Sequence, residues 1–114
     1  MSVLKNKNAF ITGGGSGIGL ACAKAFAADG ANVLIMGRSE EKLEKAAIEL
    51  QGIPGAGTIN IFAGSVADEK DVEAAVVIAS LGGPLDIAVA NAGTGGLSPI
   101  MATDHRTRIS NRYI

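Results

Sequence analysis

The densest run of glycine in the chain lies between an apolar segment and an alanine-rich one, and this placement restricts the fold. Five glycines occur within seven residues: Gly13, Gly14, Gly15, Gly17 and Gly19. The run Asn8 to Thr12 before them is short and apolar, and Gly17 to Asp29 carries apolar residues at helical spacing. Glycine is needed where a backbone turns sharply or approaches another group closely. The segment is therefore predicted to fold as strand, turn and helix.

The rest of the chain as far as residue 90 repeats this alternation of apolar runs and helical patterns. Three further strands are predicted, at Asn32 to Met36, Thr58 to Ala63 and Leu85 to Ala90. Two helices lie between them, with Ser39 and Asp68 as predicted N-caps. The strands are continuous apolar runs, which indicates burial on both faces. We predict an α/β fold of order β-α-β-α-β-α-β, a doubly wound parallel sheet with right-handed crossovers.

Charge and composition exclude several classes of function. Ten lysines and arginines stand against eleven aspartates and glutamates, a formal net charge of -1, so no basic excess favours nucleic-acid binding. The apolar runs are far shorter than the roughly 18 residues that cross a bilayer, and the N-terminus has no apolar core of signal-peptide length. Cys22 is the single cysteine, which excludes an internal disulfide. These features favour a cytoplasmic protein without nucleic-acid or membrane partners.

The loop from Thr12 to Gly19 follows the first predicted strand, where an open α/β sheet presents its strand ends to ligands. A pyrophosphate site there needs a tight turn, a closely approachable backbone and close packing of helix on strand, and Gly13, Gly17 and Gly19 supply these in turn. The N–H groups at the helix N-terminus would face the anion. A phosphate-bearing cofactor meets all these demands, and a glycine-rich connection without a ligand is the alternative.

Three known motifs compete for this loop. A Walker A loop needs lysine after Gly19, where the chain has Leu20, so triphosphate hydrolysis is not supported. The plain Gly-x-Gly-x-x-Gly fingerprint is absent, because residue 18 is isoleucine. A methyltransferase-like Gly-x-Gly-x-Gly is present at Gly15, Gly17 and Gly19, but Gly13 stands where an acidic residue would precede it. A methyltransferase-like domain remains a weaker alternative.

Two motifs at predicted strand ends carry a family resemblance. Thr-Gly-x-x-x-Gly-x-Gly spans Thr12 to Gly19, and Asn-Ala-Gly follows strand four at residues 91–93. Together they resemble the short-chain dehydrogenase/reductase family, of the classical type, from about Lys5 to Ser98. The resemblance implies the N-terminal portion of a Rossmann-like fold, lacking the C-terminal strands, that binds NAD or NADP. The residues implied are Gly13, Ser16, Gly17, Ile18 and Gly19 at the pyrophosphate, and Asn91, Ala92 and Gly93 on the adenosine and nicotinamide-ribose side.

The end of predicted strand two indicates which dinucleotide is bound. NAD enzymes place an acid roughly twenty residues past the glycines, where it accepts hydrogen bonds from the ribose hydroxyls. This chain has Arg38 and Ser39 there. A guanidinium can bind the 2′-phosphate of NADP, and no carboxylate repels that phosphate, so NADP is favoured over NAD. Alternatively, Arg38 is a solvated loop charge and Ser39 only a helix cap. NADP-preferring members often carry a second basic residue in the glycine loop, where this chain has Ser16.

Two further positions depart from the family or have a second interpretation. After predicted strand three the chain has Ser65-Val66, where the family usually has Asp-Val. The resemblance implies that this pair binds adenine, and a serine hydroxyl can hydrogen-bond the adenine amino group without the charge assistance of a carboxylate. Asn91 can also be a turn residue that holds the end of strand four through side-chain hydrogen bonds.

The resemblance further implies hydride transfer on an alcohol or carbonyl substrate by a Ser, Tyr and Lys set, with Tyr four residues before Lys. Tyr113 is the only tyrosine and no lysine follows Lys70. No catalytic residue is therefore assigned. Ser110 and Tyr113 are interpreted as tail residues, and His105 as a surface histidine without a metal partner. The chain is expected to be inactive as given, as a truncated, frameshifted or partial form. A non-catalytic dinucleotide-binding or subunit-interaction module is the alternative.

These interpretations divide the chain in two. Residues 1–96 are expected to form a partial dinucleotide-binding domain, and residues 97–114 an irregular or weakly helical tail. Because the following strands of the family are missing, strand four is expected to be an exposed apolar edge that favours self-association.

Overall fold

Four strands and three helices alternate along the part of the chain that the structure, a computed structural model, describes, namely residues 3–15 and 17–91. The elements are β1 (Asn8–Thr12), α1 (Gly17–Ala28), β2 (Asn32–Gly37), α2 (Glu40–Gln51), β3 (Ile59–Ala63), α3 (Glu69–Ala79) and β4 (Leu85–Ala90). The predicted order of elements is confirmed. None of the described helices has the length and apolar character needed to cross a membrane.

The strands form one parallel sheet in the order β3-β2-β1-β4. β1 pairs in register with β2, from Asn8 opposite Asn32 to Thr12 opposite Met36, and on its other side with β4. The first strand in sequence is therefore an inner strand of the sheet. The chain leaves β1 toward β2 and returns on the other side as β4, so the strand order reverses beside β1. The crevice outside the carboxyl ends of the strands at such a point is where open α/β sheets bind ligands.

Both faces of the sheet are covered, as the continuous apolar strands predict. Ile11 and Ile35 point to a cluster that includes Leu43 and Leu50 of α2. Phe10 and Leu34 point to the opposite cluster, to which α3 contributes its buried residues, Val72, Ala75, Val76 and Ala79. Alternate residues of one strand thus enter different cores, which is the doubly wound arrangement.

The local signals place the element ends within a residue or so of their predicted positions. Ser39 and Asp68 are the N-caps of α2 and α3, and their side chains accept hydrogen bonds from the Lys42 and Lys70 amides. Gly30, after α1, has the predicted left-handed conformation, with φ 92°.

Side-chain amides tie the amino edge of the sheet together. Asn8 Nδ2 donates to the Pro84 carbonyl oxygen over 3.1 Å, and Asn8 Oδ1 accepts from Asn32 Nδ2 over 3.2 Å. Asn32 Oδ1 in turn accepts from the Thr58 amide over 2.9 Å. Because Pro84 and Thr58 immediately precede β4 and β3, this amide chain crosses all four strands.

The outer strand β4 differs in part from the expected exposed apolar edge. Within the described residues it pairs with β1 alone. Its apolar side chains are nevertheless buried, with Leu85 3%, Ala88 0% and Val89 5% exposed. The edge that β4 offers is therefore made of backbone N–H and C=O groups.

Candidate functional site

The turn after β1 is fastened to the end of β2. Gly13, with φ 67°, takes the left-handed conformation that a tight turn needs. The amides of Gly13 and Gly14 both donate to the Met36 carbonyl oxygen, over 2.8 and 3.3 Å. A Cβ on Gly14 would lie 2.6 Å from the Cβ of Ile35, so the turn approaches β2 more closely than any side chain allows. The glycines hold the loop down against the sheet.

At Gly17 the loop opens toward solvent. Gly17 also has a positive φ, 59°, and is exposed, and no described atom beyond its chain neighbours and its own helix backbone lies within 4 Å of where its Cβ would stand. It begins α1, whose first turn has amides with no partner inside the helix. Ile18, in that turn, is 72% exposed. An open backbone beside helix N–H groups fits a phosphate group. Ser16, the predicted site residue that precedes Gly17, lies outside the described residues.

Gly19 packs closely against the turn after β1 and against the residue that follows β4. A Cβ there would overlap the Gly13 carbonyl oxygen and would lie 2.9 Å from Asn91 Nδ2. The missing side chain therefore lets α1, the turn after β1 and the residue after β4 meet. This is the close packing that the motif predicts for Gly19.

Thr12 links the ends of β1 and β4 and is fully buried. Its hydroxyl oxygen accepts from the Asn91 amide over 2.9 Å, and its hydroxyl lies 3.3 Å from the Val89 carbonyl oxygen, to which it donates. Asn91 is thereby fixed through its backbone, next to Gly19. Its side-chain amide lies beside the glycine loop, and the bond that holds it to Thr12 comes from its backbone and not from its side chain. Ala92 and Gly93, the other predicted residues of this motif, lie outside the described residues.

The end of β2 presents a cation. Arg38 is exposed, and neither of the ion pairs found in the described part of the chain, Lys24 with Glu49 and Lys45 with Glu41, involves it. Ser39 Oγ accepts from the Lys42 amide over 3.2 Å. Ser39 therefore caps α2, as its alternative interpretation predicts, while Arg38 is available to a ligand.

The turn after β3 sits beside this cation. The Gly64 amide donates to the Gly37 carbonyl oxygen over 2.8 Å, so the residue next to Arg38 is joined to the residue next to Ser65. Ser65 Oγ accepts from the Ala67 amide over 3.1 Å. The Val66 side chain is 8% exposed and belongs to the core on the α3 face, so Val66 can meet a ligand through its backbone only.

Sequence reasoning missed Asp71, in the first turn of α3. Its Oδ2 accepts from the Ser65 amide over 2.9 Å. A Cβ on Gly64 would lie 2.8 Å from the same oxygen, so Gly64 leaves the room that the carboxylate occupies. The one available signal was an acid three residues after the predicted N-cap Asp68, and this position alone does not say which backbone the acid reaches.

The predicted residues that the structure describes thus lie at the carboxyl edge of the sheet. Gly13, Arg38, Ser65 and Asn91 follow β1, β2, β3 and β4 in turn. Among the described residues no cluster of histidine, cysteine and acidic side chains could hold a metal ion. A groove of about 180 Å³ lies at the opposite edge, between the Asn8 and Asn32 side and Leu81, and shares none of the predicted residues.

Comparison with known proteins agrees with this geometry. The family model for the short chain dehydrogenases matches residues 7–112. The chain is 41% identical over 90 residues to a 3-dehydrosphinganine reductase of Arabidopsis thaliana, covering 79% of this chain and 26% of that protein. It is 45% identical over 98 residues to a sorbose reductase of Schizosaccharomyces pombe, covering 82% and 37%.

Solved structures give the same result. A short-chain dehydrogenase/reductase of Mycobacterium ulcerans matches with a TM-score of 0.76 at 35% identity, over 80% of this chain and 34% of that one. The L-sorbose reductase of Gluconobacter frateurii, complexed with NADPH and L-sorbose, matches with a TM-score of 0.71 at 41% identity, over 83% and 36%. The chain thus spans about a third of the length of these proteins. By fold, by glycine loop and by these matches, it belongs to the short-chain dehydrogenase/reductase family.

Proposed function

We propose that the chain is the cofactor-binding portion of an NADP-dependent oxidoreductase that transfers hydride to or from an alcohol or carbonyl substrate. The observation that carries the choice of NADP is Arg38, exposed directly after β2 and without an ion-pair partner among the described residues. No carboxylate replaces it at the end of that strand. The likeness to a sorbose reductase complexed with NADPH supports the same choice.

The described residues at the carboxyl edge of the sheet have the chemistry that a dinucleotide needs. The open backbone of Gly17 and the first-turn amides of Ile18 and Gly19 would hold the pyrophosphate, together with Gly13 and Ser16. Arg38, with the Ser39 hydroxyl, would hold the 2′-phosphate. The Ser65 hydroxyl and the Val66 backbone would face the adenine. Asn91, Ala92 and Gly93 would border the ribose on the nicotinamide side, and the nicotinamide itself supplies the hydride chemistry.

The proton transfer that accompanies hydride transfer needs groups beyond this set. Tyr113 is the only tyrosine among the 114 residues, and no lysine follows Lys70. On this proposal the chain by itself binds cofactor and does not turn over. A dinucleotide-binding or subunit-interaction module without catalysis is the second candidate. In either case the outer backbone edge of β4 is the surface that we propose for self-association.

Titration calorimetry with NADP and NAD tests the choice of cofactor. A charge-assisted hydrogen bond contributes roughly 1.5 to 3 kcal/mol, about ten- to a hundredfold in dissociation constant. Arg38→Ala should cost NADP that much affinity and leave NAD nearly unchanged, because NAD has only a hydroxyl there. Higher salt should shrink the loss, since it screens the wild-type contact.

Gly37→Asp should invert the preference by repelling the phosphate and accepting from the ribose hydroxyls of NAD. A Cβ on Gly37 would lie 3.4 Å from Leu43 Cδ2, its nearest neighbour, which is ordinary van der Waals contact. Equal effects of Arg38→Ala on both cofactors would refute the NADP assignment. Binding of S-adenosylmethionine in place of either dinucleotide would refute the cofactor class.

A further inference from the structure

The first turn of α2 lies between the glycine loop and the end of β2. A Cβ on Gly15 would stand 3.5 Å from the Cβ of Lys42 and 3.6 Å from Leu43 Cδ2. A Cβ on Gly37, on the other side, would stand 3.4 Å from the same Leu43 carbon. Leu43 itself is buried, which anchors the turn, and Lys42 beside it is exposed. The lysine stem therefore starts at the junction of the loop and the strand end that carries Arg38.

The charges around this junction leave Lys42 available. Lys45, one turn further along α2, pairs with Glu41 over 3.6 Å, and Lys24 pairs with Glu49 over 3.4 Å. No ion pair among the described residues takes Lys42. Glu40 is the remaining carboxylate of the first turn, exposed like its neighbours. The Lys42 amide donates to Ser39 Oγ over 3.2 Å, which fixes the Lys42 backbone beside the residue that follows Arg38.

A terminal phosphate monoester carries about -1.5 to -2 charge near neutral pH, which one guanidinium does not neutralise. We propose that Lys42 is a second specificity-determining cation that binds the 2′-phosphate of NADP opposite Arg38. It supplies from helix α2 the positive charge that the glycine loop, with Ser16, does not carry. A lysine suits this place because its compact ammonium on a flexible stem can reach a phosphate without the fixed geometry of a guanidinium. This inference rests on the proposed binding of NADP.

The test compares dissociation constants of the full chain for NADP and NAD in wild type, Lys42→Ala and Lys45→Ala. The ratio of the two constants is the decisive quantity, because a change in the fraction of competent protein scales both alike. Lys42→Ala should weaken NADP binding about three- to tenfold and change NAD binding less than twofold. Lys45→Ala is the matched control, since it removes the same charge from the same helix one turn away, and it should leave the ratio unchanged.

Two further variants sharpen the result. Lys42→Arg retains the charge and should keep the NADP preference, whereas Lys42→Glu should weaken NADP binding more than Lys42→Ala does. The loss in Lys42→Ala should shrink as salt concentration rises.

The outcomes separate this inference from the function on which it rests. If Arg38→Ala selectively weakens NADP but Lys42→Ala does not, or if Lys45→Ala matches Lys42→Ala, the role of Lys42 is refuted and the NADP assignment stands. If the wild type does not prefer NADP and Arg38→Ala acts equally on both cofactors, both are refuted together.

Discussion

Gly17 and Gly19 are two residues apart and use the missing side chain in opposite ways. At Gly17 the space beyond the Cα is open and the backbone is left-handed; at Gly19 that space is filled by the Gly13 carbonyl and the Asn91 amide. Contact with neighbouring atoms excludes a larger residue only at Gly19. A larger residue at Gly19 would therefore separate α1, the turn after β1 and the residue after β4, whereas at Gly17 it would only strain one backbone conformation.

Alanine at each of these two positions should separate the two uses. Gly17→Ala places a Cβ in the left-handed region, which costs roughly 1 to 2 kcal/mol of folding free energy. Gly19→Ala must move α1 away from the turn after β1, and we expect a larger loss, with Asn91 displaced. Urea denaturation measures the loss of folding free energy in each variant. Cofactor affinity, corrected for the folded fraction, measures the effect of displacing Asn91. Equal losses for the two variants would contradict the different roles.

At the level of single residues, the sequence predicts the glycines and Arg38 but not their partners. The glycine spacing indicates a tight turn and a close packing contact, and the structure places these at Gly13 and Gly19. The contact of Gly15 with Lys42 and that of Ser65 with Asp71 join residues whose distance depends on how α2 and α3 lie on the sheet. Local patterns specify the period of a helix and do not specify which of its exposed residues meets a given loop.

Among the elements, helix α3 is fastened to the end of β3 by one carboxylate. Asp71 Oδ2 receives the Ser65 amide, while the Asp68 amide donates to the Ser65 carbonyl oxygen over 3.1 Å. Ser65 is thus bound on both sides by the first turn of the helix that follows it. The orientation of the turn that we assign to adenine depends on that helix.

Replacing Asp71 should loosen this attachment. Asp71→Ala leaves the Ser65 amide without its partner, and we expect a loss of about 1 to 3 kcal/mol in the free energy of unfolding. Asp71→Asn keeps an oxygen that can accept the same hydrogen bond and should lose less. Asp68→Asn is the matched control, because it removes the same charge from the same turn and keeps a good cap. Urea midpoints of the variants give the comparison. A loss in Asp71→Asn as large as that in Asp71→Ala would mean that the negative charge, and not the hydrogen bond to Ser65, accounts for the stabilisation.

The elements themselves were the most predictable level. The ends of β1 and β4 agree with the apolar runs residue for residue, and β3 starts one residue later than predicted, at Ile59. Their agreement follows from local signals: a capping serine or aspartate, a left-handed glycine, and a change from continuous apolar residues to a helical period. The order of strands in the sheet was not predicted, because right-handed crossovers reduce the possible arrangements without selecting β3-β2-β1-β4.

On the scale of the whole molecule, the sheet ends in strands with unlike edges. Both β3 and β4 are outer strands among the described residues. In β3 the side chains of Asn60 and Ala63 are exposed, whereas Ile87, Ala88 and Val89 of β4 are buried. β4 therefore combines a well-packed strand with an open row of backbone groups, which is a template for pairing with another strand.

The purified 114-residue chain should accordingly associate with itself. Sedimentation velocity over a range of concentrations should give an average mass above the 11.4 kDa of one chain, and this mass should rise with concentration. Raising the salt concentration should not abolish the association, because backbone hydrogen bonds rather than surface charges hold it. A mass of 11.4 kDa at every concentration would contradict pairing through β4.

The hydrogen bonds between side-chain amides along the amino edge of the sheet affect the order in which strands can pair during synthesis. Asn8 is synthesised before its partner Pro84, which lies 76 positions further along the chain. Until that length has been synthesised, β1 can pair with β2 but lacks its other partner, β4. The side-chain amide of Asn8 then also lacks its acceptor, the Pro84 carbonyl oxygen. A nascent chain with an open strand edge is prone to pair with the wrong neighbour. Once residues 84 to 90 are present, Asn8 Nδ2 has its acceptor and the open edge on this side of the sheet passes from β1 to β4.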